Sequence, residues 1–252
     1  MAIYKFIIAY DGTNYSGWQS QKHCQAVSNC LEKVFQIVLR KRVKIIGASR
    51  TDSGVHALGQ VAFVKLDLDI DPEKLQQIIN NRLPSDILIR KMELVGPDFH
   101  PQANVEMKTY YYHFFQKRPL PIISRYGYYF YKKVDMEKLQ DCFSVFLGTH
   151  DFRSFSSTDK TDTVRTIDSI NLRYFKKLGV YRIEIRGQHF LRYMVRRITG
   201  SLLDVASSDK TKEDLIFALN EKNAQQHLAT APAHGLMLHS IKYKESINEK
   251  NI

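Results

Sequence analysis

The stretch Ile45–Phe63, IIGASRTDSGVHALGQVAF, decides how the first half of the chain is read. Its middle, Ser49–Ala57 (SRTDSGVHA), carries the Ser-Gly and Asp signals of a turn. Its flanks extend into two β-branched and apolar runs, VKIIGAS from Val43 and GQVAFVKLDL from Gly59, and these read as consecutive strands. Working outward, AIYKFIIAYD from Ala2 is a strand. Val27, Leu31, Val34, Phe35 and Val38 fall at helical spacing and predict a helix over roughly residues 25–41. Asp71-Pro72 opens a second helix, with Leu75, Ile78, Ile79 and Leu83 as its apolar face. DILIRKMELV, ending at Val95, is a strand. The order β-α-β-β-α-β is the ferredoxin-like arrangement.

The second half repeats this order with longer loops. NVEMKTYYYHFFQ starts a strand, and a loop rich in Pro, Tyr and Arg runs from Lys117 to Lys133. DMEKLQDCFSVFLG is a helix. TVRTIDSINLRYF and GVYRIEIRGQHF are strands. FLRYMVRRITGSLLDVA is a helix, a shorter one follows near 211–221, and GLMLHSIKYK is the last strand. The fold class expected is α+β: two ferredoxin-like (RRM-like) halves forming a mixed, mainly antiparallel sheet, with helices on one face and a basic cleft between the halves. The first domain is expected over 1–105, the second over 106–245, and a polar tail over 246–252.

Composition narrows the function. The net charge is +11. Residues 1–104 hold 13 Lys and Arg against 10 Asp and Glu, and residues 105–252 hold 24 against 16. The basic excess therefore sits in the second half and suits a polyanionic partner. No apolar run reaches membrane-spanning length, and the N-terminus lacks the signature of a secretory signal. The three cysteines, Cys24, Cys30 and Cys142, form no C-x-x-C pair, and the nine histidines show no zinc-ligand spacing. A cytoplasmic protein without metal, membrane or nucleotide cofactor is expected.

The turn SRTDSGVHA holds more than a turn needs. Arg50, Thr51 and His56 surround Asp52 at an exposed loop tip, where reactive groups are commonly carried. An aspartate acting as a nucleophile must be ionised and faced by a cation. HFLRYMVRRITG offers one. Beside a stripe of Phe190, Leu191, Met194, Val195 and Ile198, Arg192 and Arg196 stand four apart on a helix. Arg196 lies one turn before Gly200, where a backbone or substrate could approach. Arg192 and Arg197 read as solvated or phosphate-facing. In KTYYYHFF, Tyr110 and Tyr112 share one strand face and Tyr111 the other, and aromatic rings beside basic residues suit base stacking. AYDGTNYSGW looks like the second half of a dehalogenase DxDGT box, but Ala9 stands where its first aspartate is required.

Taken in order, YDGTNYSGWQSQ, SRTDSGVHALGQV, NRLPSDI, DFHPQANVEMKTYYYHF, GTHDFRSF, HFLRYMVRRITGSLLDV and APAHGLMLHSIKY resemble the tRNA pseudouridine synthase A family from about Tyr4 to Tyr243. The resemblance implies a uridine-to-pseudouridine isomerase acting on the anticodon stem-loop of tRNA, as a homodimer without metal or organic cofactor. It implies Asp52 as nucleophile, Arg196 as its partner, Arg50 in extruding the target base, Tyr110 stacking on the uracil and Leu236 lining the other side of the base pocket. The sequence departs from the family pattern at Ser49 and Ser53, and at Thr109 and Tyr111 beside the stacking tyrosine. The alternative is a non-catalytic RNA-binding or RNA-chaperone protein, for which an anion at position 52 would bring no benefit. A base deaminase would need a zinc ligand set that is missing.

Overall fold

The computed structural model describes residues 1–20, 24–157, 161–223, 226 and 228–244. The expected polar tail lies outside the described residues. The chain is α+β, and its ten strands belong to one mixed, mainly antiparallel open sheet. By contact density it divides into two compact units. The first comprises Met1–Ser53, Ala57–Lys108 and the segment from His239 onward; the second comprises Gly54–His56 and Thr109–Leu238.

In the first unit, β1 (Ala2–Tyr10) is central, with β4 (Ile87–Val95) on one side and β3 (His56–Leu66) on the other, both antiparallel. The short β2 (Ile45–Gly47) pairs with β3 in the register Ile46↔Phe63, which turns the opening stretch into a hairpin. Helix α1 (Val27–Leu39) buries Val27, Leu31, Val34 and Phe35, and the Phe35 ring stacks on Phe6 of β1 at 5.8 Å. Helix α2 (Pro72–Asn80) starts where Asp71 accepts a hydrogen bond from the Lys74 N–H and Pro72 presets the first turn. It is shorter than its apolar pattern suggests. Leu75 and Ile79 are buried, Ile78 is exposed, and the Asn80 amide closes the helix by bonding both backbone groups of Ile89.

The chain enters the second unit along β5 (Val105–Phe115) and leaves it along β10 (Leu236–Tyr243). Within that unit the strands run β5, β9 (Val180–Gly187), β8 (Val164–Phe175), β7 (Gly148–Asp151), and β6 (Tyr128–Tyr129) pairs in parallel with β5. Strands β6 and β7 are additions to the expected order; both are too short to show a period-2 pattern. Helices α3 (Met136–Asp141), α4 (Met194–Ala206) and α5 (Lys212–Glu221) complete it. Phe146, Phe152 and Phe155 form an aromatic core under β7.

Candidate active site

Asp52 lies in the loop between β2 and β3, half-buried, between a buried Thr51 and an exposed Ser53. The loop is held by its neighbours. Beyond β2 the ladder continues by one bond, Ala48 N–H to the Val61 carbonyl. The fully buried Gln60 side chain then takes over: its amide donates to the Ser49 carbonyl at 2.7 Å, and its oxygen accepts from the Ser49 N–H at 3.2 Å. The Lys108 ammonium donates to the Ala48 carbonyl at 3.1 Å, and burial pulls its pKa down to about 8.

The segment Tyr10–Trp18 holds the other side of the loop. The Tyr10 hydroxyl bonds the Thr51 hydroxyl at 2.8 Å, the Trp18 N–H donates to the Thr51 carbonyl, and the Ser53 hydroxyl donates to the Tyr15 carbonyl. Gly17, at φ +88°, packs so close that an added Cβ would meet the Thr51 oxygen at 2.4 Å. The Trp18 ring covers Gly47 in the same way. Tyr15 is anchored by donating to Asp86 at 2.7 Å; burial and that carboxylate push its pKa far up. These residues belong to the AYDGTNYSGW stretch. The available signal was the single Trp of the chain next to a glycine. Arg50 is exposed.

The second unit brings Tyr110, Arg196 and Leu236 into one neighbourhood of short segments. Tyr110 on β5 is 7% exposed, its ring edge-on to Phe190 at 5.0 Å. Tyr112, on the same face, donates to the Pro232 carbonyl and lies against Gly235, where a Cβ would come within 2.5 Å of its ring. Leu236 follows directly and is buried. Arg196, in the first turn of α4, donates from Nε to the Ala231 carbonyl at 2.8 Å, and its own carbonyl accepts from the Ala231 N–H. Gly200, one turn on, allows the close approach expected of it: the backbone of Ala229 lies there, 2.2 Å from a notional Cβ. On the opposite face of β5, Tyr111 lies under the Arg182 guanidinium at 4.1 Å.

Two arginines differ from expectation. Helix α4 begins at Met194 because Tyr193 takes a left-handed conformation, φ +62°, so Arg192 precedes the helix and shares no helical face with Arg196. Arg197 is not a solvated cation. It is half-buried and donates to the carbonyls of Ser154 and Ser156, bracing that loop, and burial lowers its pKa. Sequence spacing cannot reveal a left-handed residue at a helix start.

Among the described residues, no group of three or more His, Cys, Asp or Glu side chains is placed to hold a metal ion. No helix among them is long and apolar enough to cross a membrane. The family model described as tRNA pseudouridine synthase matches residues 6–102 and 143–244. The chain is similar to tRNA pseudouridine synthase A of Thermodesulfovibrio yellowstonii, 36% identical over 250 residues, covering 95% of this chain and 98% of the relative. It is likewise similar to tRNA pseudouridine synthase A 1 of Protochlamydia amoebophila, 38% identical with 97% of each chain covered.

The chain belongs to the tRNA pseudouridine synthase family. It is therefore an isomerase by family. The two matched segments contain Arg50 and Asp52 on one side and Arg196 and Leu236 on the other, while Tyr110 falls between them.

Proposed function

We propose that the protein isomerises uridine to pseudouridine in the anticodon stem-loop of tRNA, acting as a cytoplasmic homodimer that needs neither metal nor organic cofactor. Asp52 is the nucleophile. Its carboxylate attacks the anomeric carbon of the ribose, takes a sugar proton that it later returns, or adds to carbon 6 of the uracil; the uracil detaches, turns, and rejoins through carbon 5, whose hydrogen leaves as a proton, and the carboxylate is freed. Arg196 is the cationic partner that keeps Asp52 ionised. Tyr110 stacks on the uracil, Leu236 closes the opposite side of the ring, and the exposed Arg50 assists extrusion of the base, which costs a few kcal/mol. The observation that carries this reading is the placement of one carboxylate at the tip of a loop whose neighbours are fixed on both sides, in a chain of this family. A pure RNA binder would not build so rigid a seat for an anion.

The test is tritium release from 5-tritiated uridine in bulk tRNA, with pseudouridine mapping of the product. Asp52→Asn is expected to bind tRNA and release no tritium. Near-normal turnover by that variant would overturn the assignment of the nucleophile. Binding without pseudouridine formation by the wild-type protein would favour the chaperone reading.

A further inference from the structure

The segment Lys117–Lys133, KRPLPIISRYGYYFYKK, has five basic residues, no acidic one and four tyrosines, so its charge and its rings favour the same kind of partner. It exposes apolar surface to an unusual degree: Leu120, Ile122 and Tyr131 are 69%, 78% and 72% exposed, and Tyr129 is 42% exposed. Yet it is fixed in place. Tyr128 and Tyr129 pair with Phe114 and Phe115 of β5, and Gly127 lets the chain lie on the Phe115 ring. The buried His56, otherwise unexplained, bonds through Nε2 to the Arg125 carbonyl at 3.1 Å and packs its ring on Tyr126. The acceptor is a carbonyl, so Nε2 carries the proton. At the other end, Tyr128 packs edge-on to His234. Both histidines stand close in sequence to site residues: His56 four after Asp52, His234 two before Leu236.

Between these anchors lies an open depression of about 300 Å³, lined by Arg118, Ser124, Tyr129, His234 and two prolines. That volume is at the small end of ligand sites. Its contents are an exposed guanidinium, a tyrosine ring and proline faces, which match a phosphate and a base. Burial pushes the pKa of His234 down. Two residues of chain span at most about 7 Å, the scale of one nucleotide, between His234 and Leu236.

We propose that this depression is a subsite for an unpaired RNA nucleotide flanking the target uridine, with its base against Tyr129 and its phosphate on Arg118. The inference rests on the reading of Leu236 as part of the base pocket. The partner is single-stranded RNA rather than duplex, because a ring in an open depression can be covered only by a base that has left its pair. Preorganisation by His56 and His234 means little ordering entropy is lost on binding.

The experiment measures affinity, by fluorescence anisotropy at fixed salt, for a synthetic RNA hairpin with an anticodon-sized loop and for a fully paired duplex of equal length. The double variant Arg118→Ala/Tyr129→Ala is expected to lose roughly tenfold or more on the hairpin, from one stacking contact and one phosphate contact, and much less on the duplex. Tyr129→Phe keeps the ring and should bind the hairpin as the wild type does. Both altered side chains are exposed, so the fold should be unaffected, which thermal unfolding checks. Unchanged hairpin affinity in the double variant, or equal losses on both RNAs, would overturn the subsite. So would a change in sedimentation from dimer to monomer, which would mark this face as an interface between copies. Hairpin binding by a wild-type protein that forms no pseudouridine would count against the isomerase reading alone; the variants still decide the subsite.

Discussion

Gly17→Ala tests whether the Tyr10–Trp18 segment sets the position of Asp52, the proposed nucleophile. The added methyl would lie 2.4 Å from the Thr51 oxygen, 3.0 Å from the Asp52 carbonyl carbon and 3.2 Å from the Ser53 nitrogen, all backbone atoms. Ordinary contact begins at 3.4 Å, so the loop or the glycine must retreat by about 1 Å. A displacement of that size in a reacting group can cost on the order of 100-fold in rate, or about 2.7 kcal/mol of barrier. The φ of +88° adds about 1–2 kcal/mol of ground-state strain for alanine, equivalent to a Tm decrease of roughly 2–4 °C in a chain of this size.

Two controls separate these effects. Gly179→Ala suffers similar strain, at φ +62°, but a Cβ there meets nothing within 4 Å; Gly96→Ala meets nothing and has no positive φ. Steady-state tritium release, with Tm measured on the same samples, should show both effects in Gly17→Ala, the Tm loss alone in Gly179→Ala, and neither in Gly96→Ala. If Gly17→Ala retained kcat/KM within about a factor of two of wild type while losing stability, the segment would be scaffolding unrelated to the placement of Asp52.

Three further outcomes follow from the same contacts. Gln60→Leu removes two buried hydrogen bonds to the Ser49 backbone and should cost about 2–4 kcal/mol, read as a lower urea midpoint. Lys108 titrates near 8 when folded and at its ordinary value of 10.5 when unfolded, so between those values the unfolded chain binds the extra proton. Wild-type stability should rise across that window relative to Lys108→Met, by up to about 3 kcal/mol, in urea titrations at pH 7 and pH 10. His113 is held neutral by burial and by the Arg182 Nε–H it accepts, with its pKa pulled from 6.5 down to about 4. Stability should therefore fall as pH drops from 6.5 toward 4, and His113→Gln, which keeps an acceptor without titrating, should lose up to about 3 kcal/mol less.

The period-2 and period-3.6 patterns were sufficient for the long elements, because burial on one face writes itself into the sequence. β1, α1, β3, β8 and β9 are cases. What was not legible depends on single backbone conformations and on contacts between distant segments. The left-handed Tyr193 removes Arg192 from α4, and no side-chain pattern signals it. β6 and β7 have two and four residues, fewer than a period needs to repeat. Arg197 looks like its neighbours in sequence, yet it is taken up by two carbonyls of a loop some forty residues earlier. AYDGTNYSGW is a further case: the dehalogenase-like pattern says nothing of its contacts, which run from Tyr10, Tyr15, Gly17 and Trp18 to the loop that carries Asp52.

That arrangement bears on two requirements that Asp52, as the proposed nucleophile, would place on its surroundings. It must be held in position, and it must stay charged. The contacts that fix the loop end on Ala48, Ser49, Thr51 and Ser53, the neighbours of Asp52, and most of them are neutral: a tyrosine hydroxyl, a glutamine amide, a tryptophan N–H and the close face of a glycine. Neutral groups bonded to the neighbours can locate a loop without adding charge beside its carboxylate. Lys108 is the one cation in this set, and its bond goes to a carbonyl at the foot of the loop. In the proposed mechanism charge stabilisation is assigned to Arg196, whose Nε–H donates to the Ala231 carbonyl. A substitution at Tyr10 or Gly17 should therefore disturb geometry and leave the pH dependence of the reaction in place. On the proposed pairing with Asp52, a substitution at Arg196 should instead move the acid limb of the pH–rate profile.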